Sequence, residues 1–241
     1  MNWCGGASES ASLRIHRWHR LKRTDRRLLT TPDHGQNDGS LDSELFSLNP
    51  PLDLSKYVDP QTRAKRIFYY YACNHFFLDR DDMREEYEEY GITKAQEREW
   101  TAEYISFWTD RLSPEDLTAV DRLHQADAWE ALPALMKMAP RGDSYAQLWY
   151  GNAIWGIAWS GQTTLSFRPR KDRARLEKMY KEAATVSIGL WRHLTTGKIT
   201  ISDEHRAKIA PYVAFLRATT PEGYVVNYAK DKLAEAEYRP I

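Results

Sequence analysis

The sequence predicts an all-α protein: an irregular multi-helix bundle of about seven helices over residues 56–241, behind a disordered basic and polar N-terminal arm, residues 1–55. Three observations carry that prediction. Apolar and polar residues alternate nowhere beyond short pieces such as KITIS, residues 198–202, so no half-buried strand is signalled. Helix-start signals recur along the body, and between them large aromatic residues return every three or four positions. The first 55 residues, by contrast, cluster Gly, Ser, Asn, Asp and Pro in TTPDHGQNDGS and SLNPPLDLS, with too little apolar content to offset the entropy of ordering.

Asp59-Pro60 opens the body: the carboxylate can accept from a free first-turn N–H, and proline has no N–H to leave unpaired. The adjoining RAKRIFYYYACNHFFL, residues 63–78, has the apolar content of a core helix. Thr93 with Gln96 has the form of a capping box and predicts a second helix through Trp100, Tyr104, Phe107, Trp108 and Leu112. Ser113-Pro114-Glu115-Asp116 predicts the start of a third, carrying Leu117, Val120 and Leu123 towards Ala128–Met138, with an interruption at Asp127 or Pro133. Residues 144–161 are apolar almost all round, yet shorter than the roughly 20 residues a bilayer requires and broken by Gln147 and Asn152, which predicts a buried central helix and no membrane span. Gly151 and Gly156 would allow neighbours to approach it closely. A helix over Arg170–Thr195 stops at Gly197, succeeded by one over Asp203–Ala218 kinked or split at Pro211 and one over Pro221–Tyr238.

Charge is balanced overall and uneven locally. The 34 basic and 34 acidic residues cancel, which excludes the whole-molecule positive field of a dedicated nucleic-acid binder. Arg14, Arg17, Arg20, Lys22, Arg23, Arg26 and Arg27 nevertheless stand against one Asp in residues 14–27, a local +6 that leaves the rest at −6. Interleaved with Trp18, His16 and His19, these cations suit weak anionic or nucleic-acid contact through the arm, or a localisation signal. A second basic stretch, RPRKDRAR at 168–175, reads as a solvated helix start. Only Cys4 and Cys73 are present, so no disulfide framework or zinc spacing exists. With no secretory apolar region, an intracellular setting is expected, cytoplasmic or nuclear, although the Ser- and Arg-rich start also has the composition of a mitochondrial import signal. No G-x-S-x-G, P-loop or H-E-x-x-H pattern occurs.

The densest chemical signal is FFLDRDDMREEYEEYG, residues 76–91. If the helix begun at Pro60 continued past Leu78, Asp81, Asp82 and Glu85 would share one face suited to a hard cation. This DDxxE resembles the aspartate-rich motif of class I terpene synthases. The resemblance implies Mg²⁺ ions holding a substrate diphosphate, with Asn227, Asp231 and Glu235 as the second metal cluster; Asp231 stands where the family has a hydroxyl. The competing reading is an exposed helix face, because Arg80 and Arg84 interrupt the acids and Arg84 pairs at i,i+4 with Glu88. His75 with Asp79, and Asp121 with His124, are two further carboxylate–imidazole pairs at helical spacing. With nine Trp and fourteen Tyr to supply both core and contact surface, the leading expectation is a non-enzymatic α-helical module that binds a protein partner and needs no cofactor; a Mg²⁺-dependent lyase and a nucleic-acid binder are the alternatives.

Overall fold

The computed structural model describes residues 52, 54, 55, 57–215, 220–239 and 241. The chain divides into two units, Met1–Asp53 and Leu54–Ile241, and the second carries all the described helices. Asp59 accepts from the Thr62 N–H at 2.7 Å with Pro60 at the first helical position, which starts α1 (Pro60–Tyr70). Two short helices come next, α2 (His75–Arg80) and α3 (Arg84–Glu89). The Thr93–Gln96 capping box then starts α4 (Lys94–Thr109). After it stand α5 (Thr118–Gln125), a 3-10 turn at Trp129–Ala131, α6 (Leu132–Met138) and α7 (Ser144–Thr163). A 3-10 turn at Leu165–Phe167 leads into α8 (Arg170–Thr196), α9 (Asp203–Phe215) and α10 (Pro221–Tyr238). The described residues thus form ten α-helices and no strand, all-α as expected.

Ten replace the expected seven because three breaks lack a glycine. The first helix stops at Tyr70 and does not run through Leu78: Ala72 and Cys73 turn left-handed, and their N–H groups bond back to the Tyr69 and Phe68 carbonyls. Asp82 closes α2 in the same way, and Asp127 closes α5, so the interruption falls at Asp127 while Pro133 sits inside the first turn of α6. The third helix starts at Thr118, not at Ser113. Ser113 Oγ does accept from the Glu115 and Asp116 N–H groups, but the Ser113 carbonyl accepts from Tyr150 Oη at 3.0 Å and the Glu115 carbonyl faces His205 Nε2 at 3.3 Å, so acceptors that a helix would use are directed elsewhere. Pro211 lies within α9, which runs through Phe215.

The buried central helix is α7. It buries residues on every side, including Tyr145, Leu148, Tyr150, Ile154, Trp155 and Ile157, with α8 packed along it as the most extensive helix pair and α5, α6 and α10 also in contact. Its glycines admit rings, not whole helices: a Cβ on Gly151 would lie 2.9 Å from Trp191 Nε1, one on Gly156 2.2 Å from His124 Nε2, and one on Gly161 2.3 Å from Tyr180 Cζ. No helix among the described residues is long and apolar enough to cross a membrane. A second aromatic cluster joins α1 to α3 and α4, with Phe68 stacked on Tyr87 at 5.5 Å and 6.3 Å from Trp100, and Tyr69 5.3 Å from Tyr104. This cluster underlies a cleft between α4 and the two short helices.

Candidate functional site

Helix α4 presents Lys94, Glu97, Arg98, Thr101, Ala102 and Ile105 at three- and four-residue spacing, and that stripe forms one wall of a cleft of about 1120 Å³. The facing side comes from the left-handed turn at Cys73, from His75 on α2 and from Arg84, Tyr87 and Glu88 on α3; Glu130 and Arg168 border the cleft as well. The broken backbone between α1 and α3 is what brings these short elements over α4. Two adjacent non-glycine residues in left-handed conformation cost about 1–2 kcal/mol each, strain that surrounding packing must hold. Ala72 is fully buried, and Phe68 and Tyr87 are stacked beneath.

The polar centre of the cleft is Glu97. Its Oε1 accepts from Tyr87 Oη at 3.0 Å and lies 3.1 Å from His75 Nε2, while His75 Nδ1 is buried with no hydrogen-bond partner. Burial pushes the Tyr87 hydroxyl up, reinforced by the Glu97 carboxylate. Burial likewise pushes the Cys73 thiol well up, against a hydrogen bond with Thr101 that favours the thiolate. Burial also raises the Glu130 carboxyl, opposed by a hydrogen bond to its own backbone and by the Arg168 guanidinium. Lys94 and Arg98, one turn apart and exposed, form no ion pair among the described residues. The arrangement can hold a ligand by apolar contact with Ile92 and Ile105 and by the α4 cations Lys94 and Arg98.

Asp81, Asp82 and Glu85 do not share a helix face: Asp81 caps α2 and is held by Arg80 at 2.6 and 2.8 Å, Asp82 is the left-handed residue beyond it, and Glu85 lies in the first turn of the next helix. The continuous helix on which their grouping depends is therefore absent. Asn227, Asp231 and Glu235 do lie on one helix, α10, but Asn227 and Asp231 are exposed and Glu235 is engaged by Lys232 at 2.8 Å and Arg239 at 3.1 Å. Among the described residues no three His, Cys, Asp or Glu side chains are grouped to hold a metal ion. Arg84 binds Glu88 at 2.9 Å, the surface pairing read from the spacing, and also Asp79 at 2.8 Å, a pairing that the spacing does not signal. His75 meets Glu97 rather than Asp79, and His124 lies against Gly156 while Asp121 accepts from Gln125. Arg14, Arg17, Arg20, Lys22, Arg23, Arg26 and Arg27, with the rest of the arm to residue 51, lie outside the described residues.

Lys94, Glu97 and Arg98 carry no sequence signal as a group. They look like the mixed-charge surface of any exposed helix, and only the break at Ala72–Cys73 turns that surface into a wall. No family model, curated protein or solved structure matches the chain.

Proposed function

We propose that the helical body is a non-enzymatic protein-interaction module whose cleft takes a segment of a partner protein carrying an acidic residue beside apolar side chains. The observation that carries this reading is the α4 wall, with Ile105 and Ala102 next to the unpaired cations Lys94 and Arg98. A cleft of about 1120 Å³ exceeds the roughly 300–1,000 Å³ of small-molecule pockets and suits a run of peptide side chains. Binding rather than nucleophilic catalysis is supported by the direction of the thiol and phenol inside, Cys73 and Tyr87. A nucleophilic cysteine needs a lowered pKa and a general base one near neutrality, whereas burial moves Cys73 and Tyr87 upwards, towards inert neutral forms. The N-terminal arm, residues 1–55, adds weak anionic contact or localisation, and an intracellular setting goes with an unpaired Cys73 thiol.

The test is selection of random displayed peptides on the full chain, compared with Ala102→Trp, which fills the cleft from an exposed position, and with Lys94→Glu/Arg98→Glu. The wild type should enrich peptides that combine an acidic and an apolar residue. Filling the cleft should weaken them at least tenfold, and charge reversal should shift the preference towards basic residues. Equal binding of the same peptides by Ala102→Trp would rule the cleft out.

A further inference from the structure

A second surface, outside the cleft, is defined by Phe167, Trp129 and the cations that start α8. Phe167 is 86 % exposed and has no ring contact among the described residues. Arg168, Arg170, Lys171, Arg173 and Arg175 stand just after it with Asp172 as the one carboxylate, a local +4 on a body that is otherwise acidic. None of these five cations joins an ion pair among the described residues. Unpaired cations such as Lys94 and Lys198 also occur elsewhere among the described residues, beside pairs such as Lys65–Glu103 and Lys208–Glu204; what marks this stretch is five of them within eight residues. Arg168 and Arg175 instead lie over the Trp129 ring, at 5.5 and 6.0 Å from its centroid, which holds two guanidiniums in place without neutralising them. Arg173 donates to the Ser166 and Arg168 carbonyls, which fixes the loop that carries Phe167. Arg170 to Arg175 spans about 8 Å of helix axis, near the Debye length at physiological salt, so the charges act as one local field.

We infer that this surface binds single-stranded nucleic acid, with the phosphates on Arg170, Lys171 and Arg175 and a base stacked on Phe167. Such binding combines cations that track the phosphates with an aromatic face on which a base stacks, and both are exposed here. An anionic lipid surface would require an apolar row continuing along the helix. Here α8 turns at once to paired charge, with Lys181 2.6 Å from Glu177 and Lys178 3.9 Å from Glu182. The surface also differs from the arm, whose cations are a separate set. The inference stands apart from the cleft reading, and because Arg168 borders both, it is left unchanged in the test.

Anisotropy of a labelled oligo(dT) of about 20 nucleotides, longer than the roughly 16 that one small domain covers, reads the affinity. The full chain is used with its seven arm cations changed to Gln, so that the arm cannot mask the body. Arg170→Glu/Lys171→Glu should weaken binding at least tenfold and flatten its dependence on salt. Phe167→Ala should weaken it about tenfold with the salt dependence unchanged. All these side chains are exposed, so the melting curves should coincide. Unchanged affinity in both variants would overturn the inference. So would loss of binding by Phe167→Ala to phosphatidylserine vesicles alone, which would assign the surface to a membrane.

Discussion

Gly161 and Gly189 are both helical glycines with opposite expected responses to alanine. At Gly161 a Cβ would meet Cζ, Cε1 and the hydroxyl of Tyr180 at 2.3–2.6 Å, and that ring is fully buried. Overpacking of this kind outweighs the roughly 1 kcal/mol of helix propensity gained, so Gly161→Ala should destabilise by about 2 kcal/mol. At Gly189 on α8 nothing lies within 4 Å, and Gly189→Ala should stabilise by about 0.5–1 kcal/mol. Denaturant midpoints check both. Asp143 is a third residue with a defined response. It caps α7 through the Ala146 N–H at 2.9 Å, accepts from the Ser202 N–H at 2.7 Å and lies 2.8 Å from Nδ1 of His205, which is 2 % exposed. Burial pushes the Asp143 carboxyl up, but these three partners outweigh it and hold the group below its ordinary value of 3.8. A depressed folded pKa stabilises fully above the unfolded value and is lost as the pH falls through the folded one. Wild-type stability should therefore decline below about pH 4 by an amount that Asp143→Asn lacks. At pH 7 that variant should be less stable by about 1–2 kcal/mol, since the amide keeps an acceptor oxygen but loses the charge that strengthens the bonds from Ala146, Ser202 and His205.

At the scale of elements, helix starts are legible in the sequence, as is a glycine-marked end such as that of α8 at Gly197, while ends closed by other residues are less so. Asp59-Pro60, the Thr93–Gln96 box and Thr220-Pro221 announce their helices because a cap needs a specific side chain at a specific offset. The ends of α1, α2 and α5 use the same pair of backward hydrogen bonds as a glycine-terminated helix, with Ala72, Asp82 and Asp127 in the left-handed position. Alanine does not mark such a turn, and Asp marks it only weakly because it is equally at home on a helix surface, so the acidic run reads as a single helix face. Ser113 misleads in the other direction, because its cap bonds form but Tyr150 and His205 claim the carbonyls that would extend the turn. The break at Asp82 has a consequence of definite sign. Asp82 is exposed and its φ is 56°, so Asp82→Gly should stabilise by about 1 kcal/mol. In an uninterrupted helix the same change would cost about 0.3 kcal/mol. The direction of the shift in denaturant midpoint therefore reports whether Asp81, Asp82 and Glu85 can share a face.

For the whole molecule, the all-α class and the central place of α7 rest on patterns that survive averaging over many residues: no alternation, and a segment apolar all round. The cleft does not, since it depends on where two short helices, α2 and α3, land after left-handed turns and brings Cys73 and His75 to Glu97, Arg98 and Thr101 on α4. Each of those residues has an ordinary local explanation. The described body is thus built around α7, with a cleft beside α4 that we propose takes a peptide segment against Lys94, Arg98 and an apolar wall. Methyl chemical-shift mapping on the full chain, titrated with a selected acidic–apolar peptide, tests that role of the cleft most directly. Peptide seated on the α4 wall should give saturable shifts at Ile92, Ala102 and Ile105, with the core methyls of Ile209 and Val225 unmoved. Shifts centred on other methyls, with Ile92, Ala102 and Ile105 unchanged at saturation, would contradict it.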